Sequence, residues 1–139
     1  MIQTPMGPLW AAFDEDGLTA LSFSPGWDEP QNKLYPALQK EMDEYFAGKR
    51  KNFDIPLHPR GTAFQQKIWS ELLKIPYGHI CSYGELAGAR YARAAGSACH
   101  ANAIIILIPC HRVVGADGGL TGYAGGIEKK QFLLSLEKE

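Results

Sequence analysis

The chain has no apolar run long enough to cross a membrane. Its longest, Ala-Ile-Ile-Ile-Leu-Ile at residues 103–108, falls far short of the roughly 20 residues a spanning helix needs. The opening Met1-Ile2-Gln3-Thr4-Pro5 lacks the basic stretch and apolar centre of a signal peptide. Cysteine is scarce: Cys81, Cys99 and Cys110 are too few, and odd in number, for a disulfide framework. None forms a Cys-x-x-Cys pair, and His58, His79 and His100 fall without metal-ligand spacing, so no zinc or other metal site is expected. Excess charge is lacking too, since a net charge of −1 supplies no global basic field. Repeats and low-complexity tracts are absent. The expectation is a soluble, cytoplasmic, cofactor-free protein with at most one reactive thiol.

What is present is ordinary globular composition: 45% hydrophobic and 21% charged over 139 residues, enough for one domain or two small lobes. Residues 1–59 carry five Lys/Arg against nine Asp/Glu, whereas residues 60–139 carry nine against six, so a polyanion would favour the second part. The fold class read from the pattern is α/β (α+β). A small N-terminal hairpin-and-helix lobe, residues 1–60, precedes a mainly helical C-terminal domain, residues 61–139. In the first lobe, Leu9-Trp10-Ala11-Ala12-Phe13 and residues 18–23 flank Asp14-Glu15-Asp16-Gly17, a hairpin signal. Leu34, Leu38 and Met42 recur at helical period until Gly48, and Phe53, Ile55 and Leu57 alternate as a third short strand would.

Beyond Pro59-Arg60-Gly61, Thr62 and Gln65 have capping-box spacing, with Phe64, Ile68, Leu72 and Leu73 helical behind them. Ser82 and Glu85 repeat the device, opening a short helix toward Arg90. Residues 92–101 form a further helix built almost wholly of small side chains, and the pair reads as a helix-turn-helix. Residues 103–108 read as a buried β-like segment ended by Pro109. Six glycines among residues 115–126 mark a loop, and Ile127, Leu133, Leu134 and Leu136 give a final helix.

Cys110, after a proline and before His111, is the sharpest chemical feature. A free cysteine in apolar surroundings is inert, whereas one beside a base or cation becomes a nucleophile, and composition leaves both readings open. The small-residue helix is similarly double-edged. Such a surface can enter a minor groove about 6 Å wide, and it equally permits tight helix packing.

The run Ile108-Pro109-Cys110-His111-Arg112-Val113-Val114 resembles the active-site signature of the O6-alkylguanine-DNA alkyltransferases, the methylated-DNA–protein-cysteine methyltransferases. Trp69, Ile75-Pro76-Tyr77-Gly78, Ser82-Tyr83-Gly84, Arg93-Ala94-Ala95-Gly96, Asn102 and Tyr123-Ala124-Gly125-Gly126 are similar to that family at matching spacing. The resemblance implies direct-reversal DNA repair: one irreversible transfer of an alkyl group from O6-alkylguanine, with O4-alkylthymine a further candidate, to Cys110. It implies His111 as the base, Glu137 as the carboxylate orienting it, and Asn102 as the tie to the segment before the cysteine. Arg93 would fill the space left by an everted base, with Ala94, Ala95, Gly96 and Ser97 beside it on the DNA. Tyr83, Cys99, Val113, Tyr123 and Ala124 would form the substrate pocket, Tyr83 also donating toward the guanine. The partner implied is double-stranded DNA containing O6-alkylguanine, bound by a monomer without membrane or cofactor and associated with the nucleoid when bound.

The chain departs from the family pattern in places. Ala103 and Ile105 stand where prolines are usual, the stretch between Tyr83 and Arg93 is shorter, and Ala124 replaces a common serine. The N-terminal lobe lacks the cysteines with which some members hold zinc. Two other readings stay open at this point: an alkylguanine-binding relative that recruits other repair factors, and a Cys-His-Glu thiol hydrolase.

Overall fold

The computed structural model describes residues 1–120, 122–123 and 125–138. The chain divides into two compact units, Met1–Arg60 and Gly61–Glu139. In the first, β1 (Trp10–Asp14) and β2 (Gly17–Ser22) form an antiparallel hairpin. The Asp14 carboxylate accepts from the backbone N–H groups of Asp16 and Gly17, which closes the turn. Gly17 has to be glycine: its φ is 152°, and a Cβ there would stand 2.4 Å from the Pro56 carbonyl oxygen.

That close approach is all that exists of the expected third strand. Leu18 donates to Pro56 and His58 donates to Leu18, giving a single parallel bridge between Leu18 and Leu57. Pro56 has no N–H to donate, so the ladder cannot run further. Helix α1 (Tyr35–Phe46) buries Tyr35, Leu38, Met42 and Tyr45. Gly48 at φ 76° and Lys49 close it by donating to Tyr45 and Glu44, the Schellman pattern expected of a glycine just past a helix end.

The second unit opens with α2 (Ala63–Leu72), where both halves of the Thr62–Gln65 capping box form. A two-residue strand β3 (Cys81–Ser82) leads into α3 (Tyr83–Ala87), capped by the reciprocal Ser82–Glu85 pair. This helix stops short of Arg90 because Gly88 turns the backbone to φ 87°, and a single 3₁₀ turn, Ala89–Tyr91, leads into α4 (Ala92–His100). Helices α3 and α4 therefore make the expected pair. The indole of Trp69 donates to the Ala98 carbonyl at 2.9 Å, satisfying one of the carbonyls left free at the end of α4 and fastening it to α2.

Residues 104–108 are buried as expected but form no strand, Ile104 alone making an isolated bridge. Leu107 donates to Ile105 and Ile108 donates to Ile104, so the run folds on itself as a turn. Ile106 takes φ 73°, a left-handed conformation that costs a branched residue about 1–2 kcal/mol. Within the segment, the Asn102 side chain accepts from the Ile104 N–H and donates to the Ile108 carbonyl. Past a 3₁₀ turn, Cys110–Arg112, strand β4 (Val113–Val114) pairs in parallel with β3, Cys81 opposite Val113.

Helix α5 (Ile127–Glu137) closes the unit. Its inner face is Lys130, Leu133 and Glu137, not the apolar set expected, and Ile127 is exposed. No helix among the described residues is long and apolar enough to cross a membrane.

Candidate active site

The turn from Pro109 to Val113 carries the site, and elements distant in sequence hold it from three sides. From the end of α4, the Asn102 amide donates to the Ile108 carbonyl at 2.8 Å and to the Cys110 sulfur at 3.2 Å. Its oxygen accepts from the Ile104 N–H at 3.0 Å. One asparagine thus ties the turn before the cysteine to α4 and points a donor at the sulfur. From α5, the Glu137 carboxylate lies between two partners: His111 Nε2 is 2.8 Å from Oε2, and Arg112 donates to both oxygens at 2.8 and 3.0 Å. From the segment after α2, the Ile75 carbonyl accepts a third Arg112 donor at 2.6 Å, and the guanidinium sits over the Tyr77 ring.

Burial makes this electrostatic arrangement count. His111 is fully buried and Glu137 is 3% exposed. Burial pulls the imidazole below its usual 6.5, an effect Glu137 opposes and Arg112 reinforces. The ring is therefore neutral at physiological pH. A carboxylate only accepts, so the imidazole proton belongs on Nε2 and Nδ1 keeps a lone pair. Nδ1 has no hydrogen-bond partner among the described residues. A buried, oriented, unsatisfied base thus follows Cys110 directly in the chain.

Cys110 is 5% exposed, and burial pushes its thiol up to about 11 against the opposing Asn102 donor and Lys130 charge. The resting sulfur therefore holds its proton, so a thiolate must be made by transfer to a base during reaction. Cys110 and His111 are adjacent on a 3₁₀ turn.

The other expected site residues divide. Tyr83, Arg93 and Gly96, with His100 from α4 and Ala116 and Gly122 from the glycine-rich loop, line a cavity of about 570 Å³. That volume suits a small organic ligand. Cys110 is not among the described residues lining it. Arg93, Ala94 and Ser97 are exposed on α4 and Gly96 is half-buried, but Ala95 is fully buried with Ala98 and Cys99. Ala95 therefore does not share the outer face with its neighbours: helical period turns it inward. Cys99 and Tyr123 are buried, and burial raises both groups, Cys99 to about 12. The carbonyl of Val113, one of the expected pocket residues, already accepts from Lys130 Nζ at 2.6 Å. Ala124 lies outside the described residues.

Sequence reading did not place Arg112 and Lys130 in the site. Both are cations in an interior, where apolar periodicity offers no signal. The available clue was spacing alone, since Lys130, Leu133 and Glu137 at i, i+3 and i+7 share a helix face. Among the described residues, the ligand atoms of Asp14, Asp16 and His58 come close enough together to hold a cation. There, His58 and Arg60 already engage the Asp14 carboxylate.

Comparison with known proteins bears on this arrangement. The family description "6-O-methylguanine DNA methyltransferase, DNA binding domain" matches residues 63–139, and its "ribonuclease-like domain" counterpart matches residues 1–59. A methylated-DNA–protein-cysteine methyltransferase of Methanosarcina acetivorans is 41% identical, covering 99% of this chain and 96% of the relative. The constitutive enzyme of that name from Bacillus subtilis is 43% identical over 98% of this chain and 92% of its own. The crystal structure of Mycobacterium tuberculosis OGT in complex with DNA superposes with a TM-score of 0.89 at 45% identity, covering 99% of this chain and 90% of that one. With both units matched and the buried Cys-His-Glu arrangement in place, the chain belongs to the 6-O-methylguanine DNA methyltransferase family.

Proposed function

We propose that this protein repairs DNA by direct reversal, moving a methyl or larger alkyl group from O6 of an alkylated guanine in duplex DNA onto Cys110, once per molecule. The observation carrying this reading is the His111 ring, whose Nε2 is held by Glu137 while Nδ1 is left as a lone-pair acceptor on the residue that follows the buried thiol. In the reaction, the Cys110 proton passes to His111 Nδ1, directly or through one water, and Glu137 stabilises the imidazolium formed. The sulfur attacks the saturated alkyl carbon, an S–C bond forms, and the C–O bond breaks with its electron pair leaving on guanine O6. Tyr83 donates toward the base as that charge develops. The thioether carries no proton and offers no easy leaving path, so the protein is consumed.

O6 of a stacked guanine is out of reach, so the nucleotide must be turned out of the helix at a cost of a few kcal/mol. The outer face of α4, with Arg93, Ala94, Gly96 and Ser97, suits a minor-groove approach because its exposed residues between Arg93 and the terminal His100 are all small. Arg93 takes the space the base vacates, and the cavity beside Tyr83 receives the base. Cys110 is 5% exposed and is not among the described residues lining that cavity, so the turn carrying it must open to the base for the sulfur to be reached.

The test is mass spectrometry of the Cys110 peptide after incubation with a duplex oligonucleotide containing O6-methylguanine. The expected result is one added methyl group on Cys110. Binding without a methyl gain would instead establish a recognition protein, and repeated thiol-dependent hydrolysis of an ester would establish a hydrolase.

A further inference from the structure

Of the large side chains lining the cavity beside α4, the mechanism above uses Tyr83 and Arg93 and leaves His100 without a part. His100 is the last residue of α4, seven after Arg93 and four after Gly96, so the three share the helix face that borders the cavity. At 1.5 Å of rise per residue, Arg93 and His100 stand roughly 10 Å apart along the helix axis. Both are exposed, which puts them at the mouth of the cavity and not in its depth. No hydrogen bond or ion pair among the described residues engages the His100 ring. The ionisable side chains among the described lining residues are Tyr83, Arg93 and His100, so no carboxylate there competes for the ring. The free carbonyls at the end of α4 also favour positive charge at this position.

An everted nucleotide sends its base inward, while its sugar and phosphates stay at the mouth, still joined to the duplex. A side chain at the mouth therefore meets the backbone, and an imidazole N–H donates to a phosphate oxygen. We propose that His100 binds a phosphate flanking the everted nucleotide, holding that nucleotide at the end of the cavity mouth opposite Arg93. This rests on the reading of the cavity as the receptor of an everted alkylguanine. A free base carries no phosphate and gains nothing from His100.

The experiment measures single-turnover methyl transfer at low DNA concentration in the wild type, His100→Ala and His100→Arg. One O6-methylguanine duplex has an ordinary backbone; in two others, the phosphate 5′ or 3′ of the lesion is an uncharged methylphosphonate. On the ordinary duplex, the second-order rate constant of His100→Ala is expected to fall about tenfold. His100→Arg is expected to stay at the wild-type value, because a guanidinium also donates to phosphate. One of the two methylphosphonates should slow the wild type about tenfold, yet slow His100→Ala by no more than about twofold, since the contact is already lost. Free O6-benzylguanine should react equally with all three proteins. Methylphosphonate penalties that are the same in wild type and His100→Ala at both positions would overturn the proposal. A slower reaction of His100→Ala with O6-benzylguanine would also overturn it, making the ring a wall for the base. A wild type that takes no methyl group from any duplex defeats the alkylguanine reading itself, whereas transfer with independent penalties defeats the role of His100 alone.

Discussion

Glu137→Gln separates holding the fold together from setting up the base. The carboxylate accepts from Arg112 at 2.8 and 3.0 Å and faces His111 Nε2 at 2.8 Å, all buried. Glutamine keeps one acceptor oxygen and replaces the other with an NH₂ donor. If that NH₂ faces Arg112, two donors collide and a buried guanidinium loses its counter-charge. If it replaces Oε2 it faces both Arg112 and His111, so a donor clash remains, and the ring must present a lone pair at Nε2 and carry its proton on Nδ1, which removes the base.

An unmatched buried donor costs about 1–3 kcal/mol, and breaking a buried ion pair from one side costs about 3–5 kcal/mol. A loss of about 3–4 kcal/mol in unfolding free energy is therefore expected, measured by urea denaturation. Chemistry suffers separately: a hydrogen bond to a charged partner contributes about 1.5–3 kcal/mol, so single-turnover methyl transfer should slow about 10- to 100-fold. The assay is rapid-quench methyl transfer from an O6-methylguanine duplex, at a temperature where the variant is fully folded. A variant that loses stability but transfers within twofold of the wild-type rate would refute the reasoning, leaving Glu137 as a brace for Arg112.

Arg93→Ala should depress transfer from duplex DNA while sparing the reaction with free O6-benzylguanine, which needs no extrusion; equal losses on both substrates would mean that Arg93 supports the fold. Gly96→Ala places a Cβ 3.8 Å from the Tyr83 ring, an ordinary contact, so the helix should gain about 0.5–1 kcal/mol in urea unfolding while DNA repair slows through narrowing of the cavity. A destabilised Gly96→Ala protein would contradict the packing described. Because burial holds His111 neutral in the fold, the unfolded chain takes up its proton first as pH falls through 6.5. The associated stability is intact above that pH and declines below it, by at most about 1.4 kcal/mol per pH unit. The decline is read as the difference between wild type and His111→Gln in urea unfolding at several pH values, and parallel curves would disprove it.

Local chemistry wrote much of this fold into the sequence. The Asp14–Gly17 turn, the Gly48 helix end and the capping boxes at Thr62 and Ser82 depend on a few adjacent residues, so residue type and spacing suffice to read them. Residues 103–108 fold as a turn where the pattern suggests a β-like segment, because an apolar run records burial but not backbone path. The path here is set by Asn102 and by a left-handed Ile106, both choices made by tertiary contacts. Phe53, Ile55 and Leu57 alternate as a strand does, yet the proline between the last two limits them to one bridge. In the site, Cys110 and His111 were legible as neighbours. Glu137 was legible only through family resemblance, since 26 residues separate it from its histidine. Arg112 and Lys130 escaped because a buried cation is recognised by what it touches, and nothing in a linear pattern states that. Ala95 is buried although Arg93 and Ala94 beside it are exposed, because adjacency in a motif is not adjacency on a helix surface.

The central claim, a sulfur that accepts one alkyl group and is then spent, is tested most directly by counting. Protein is incubated with increasing excess of duplex bearing radiolabelled O6-methylguanine, and label per molecule is measured at completion. The expected outcome is a plateau at one methyl per protein, all of it on Cys110 and none in Cys110→Ala. Label that keeps accumulating in solution, or that settles on Cys81 or Cys99, would contradict it.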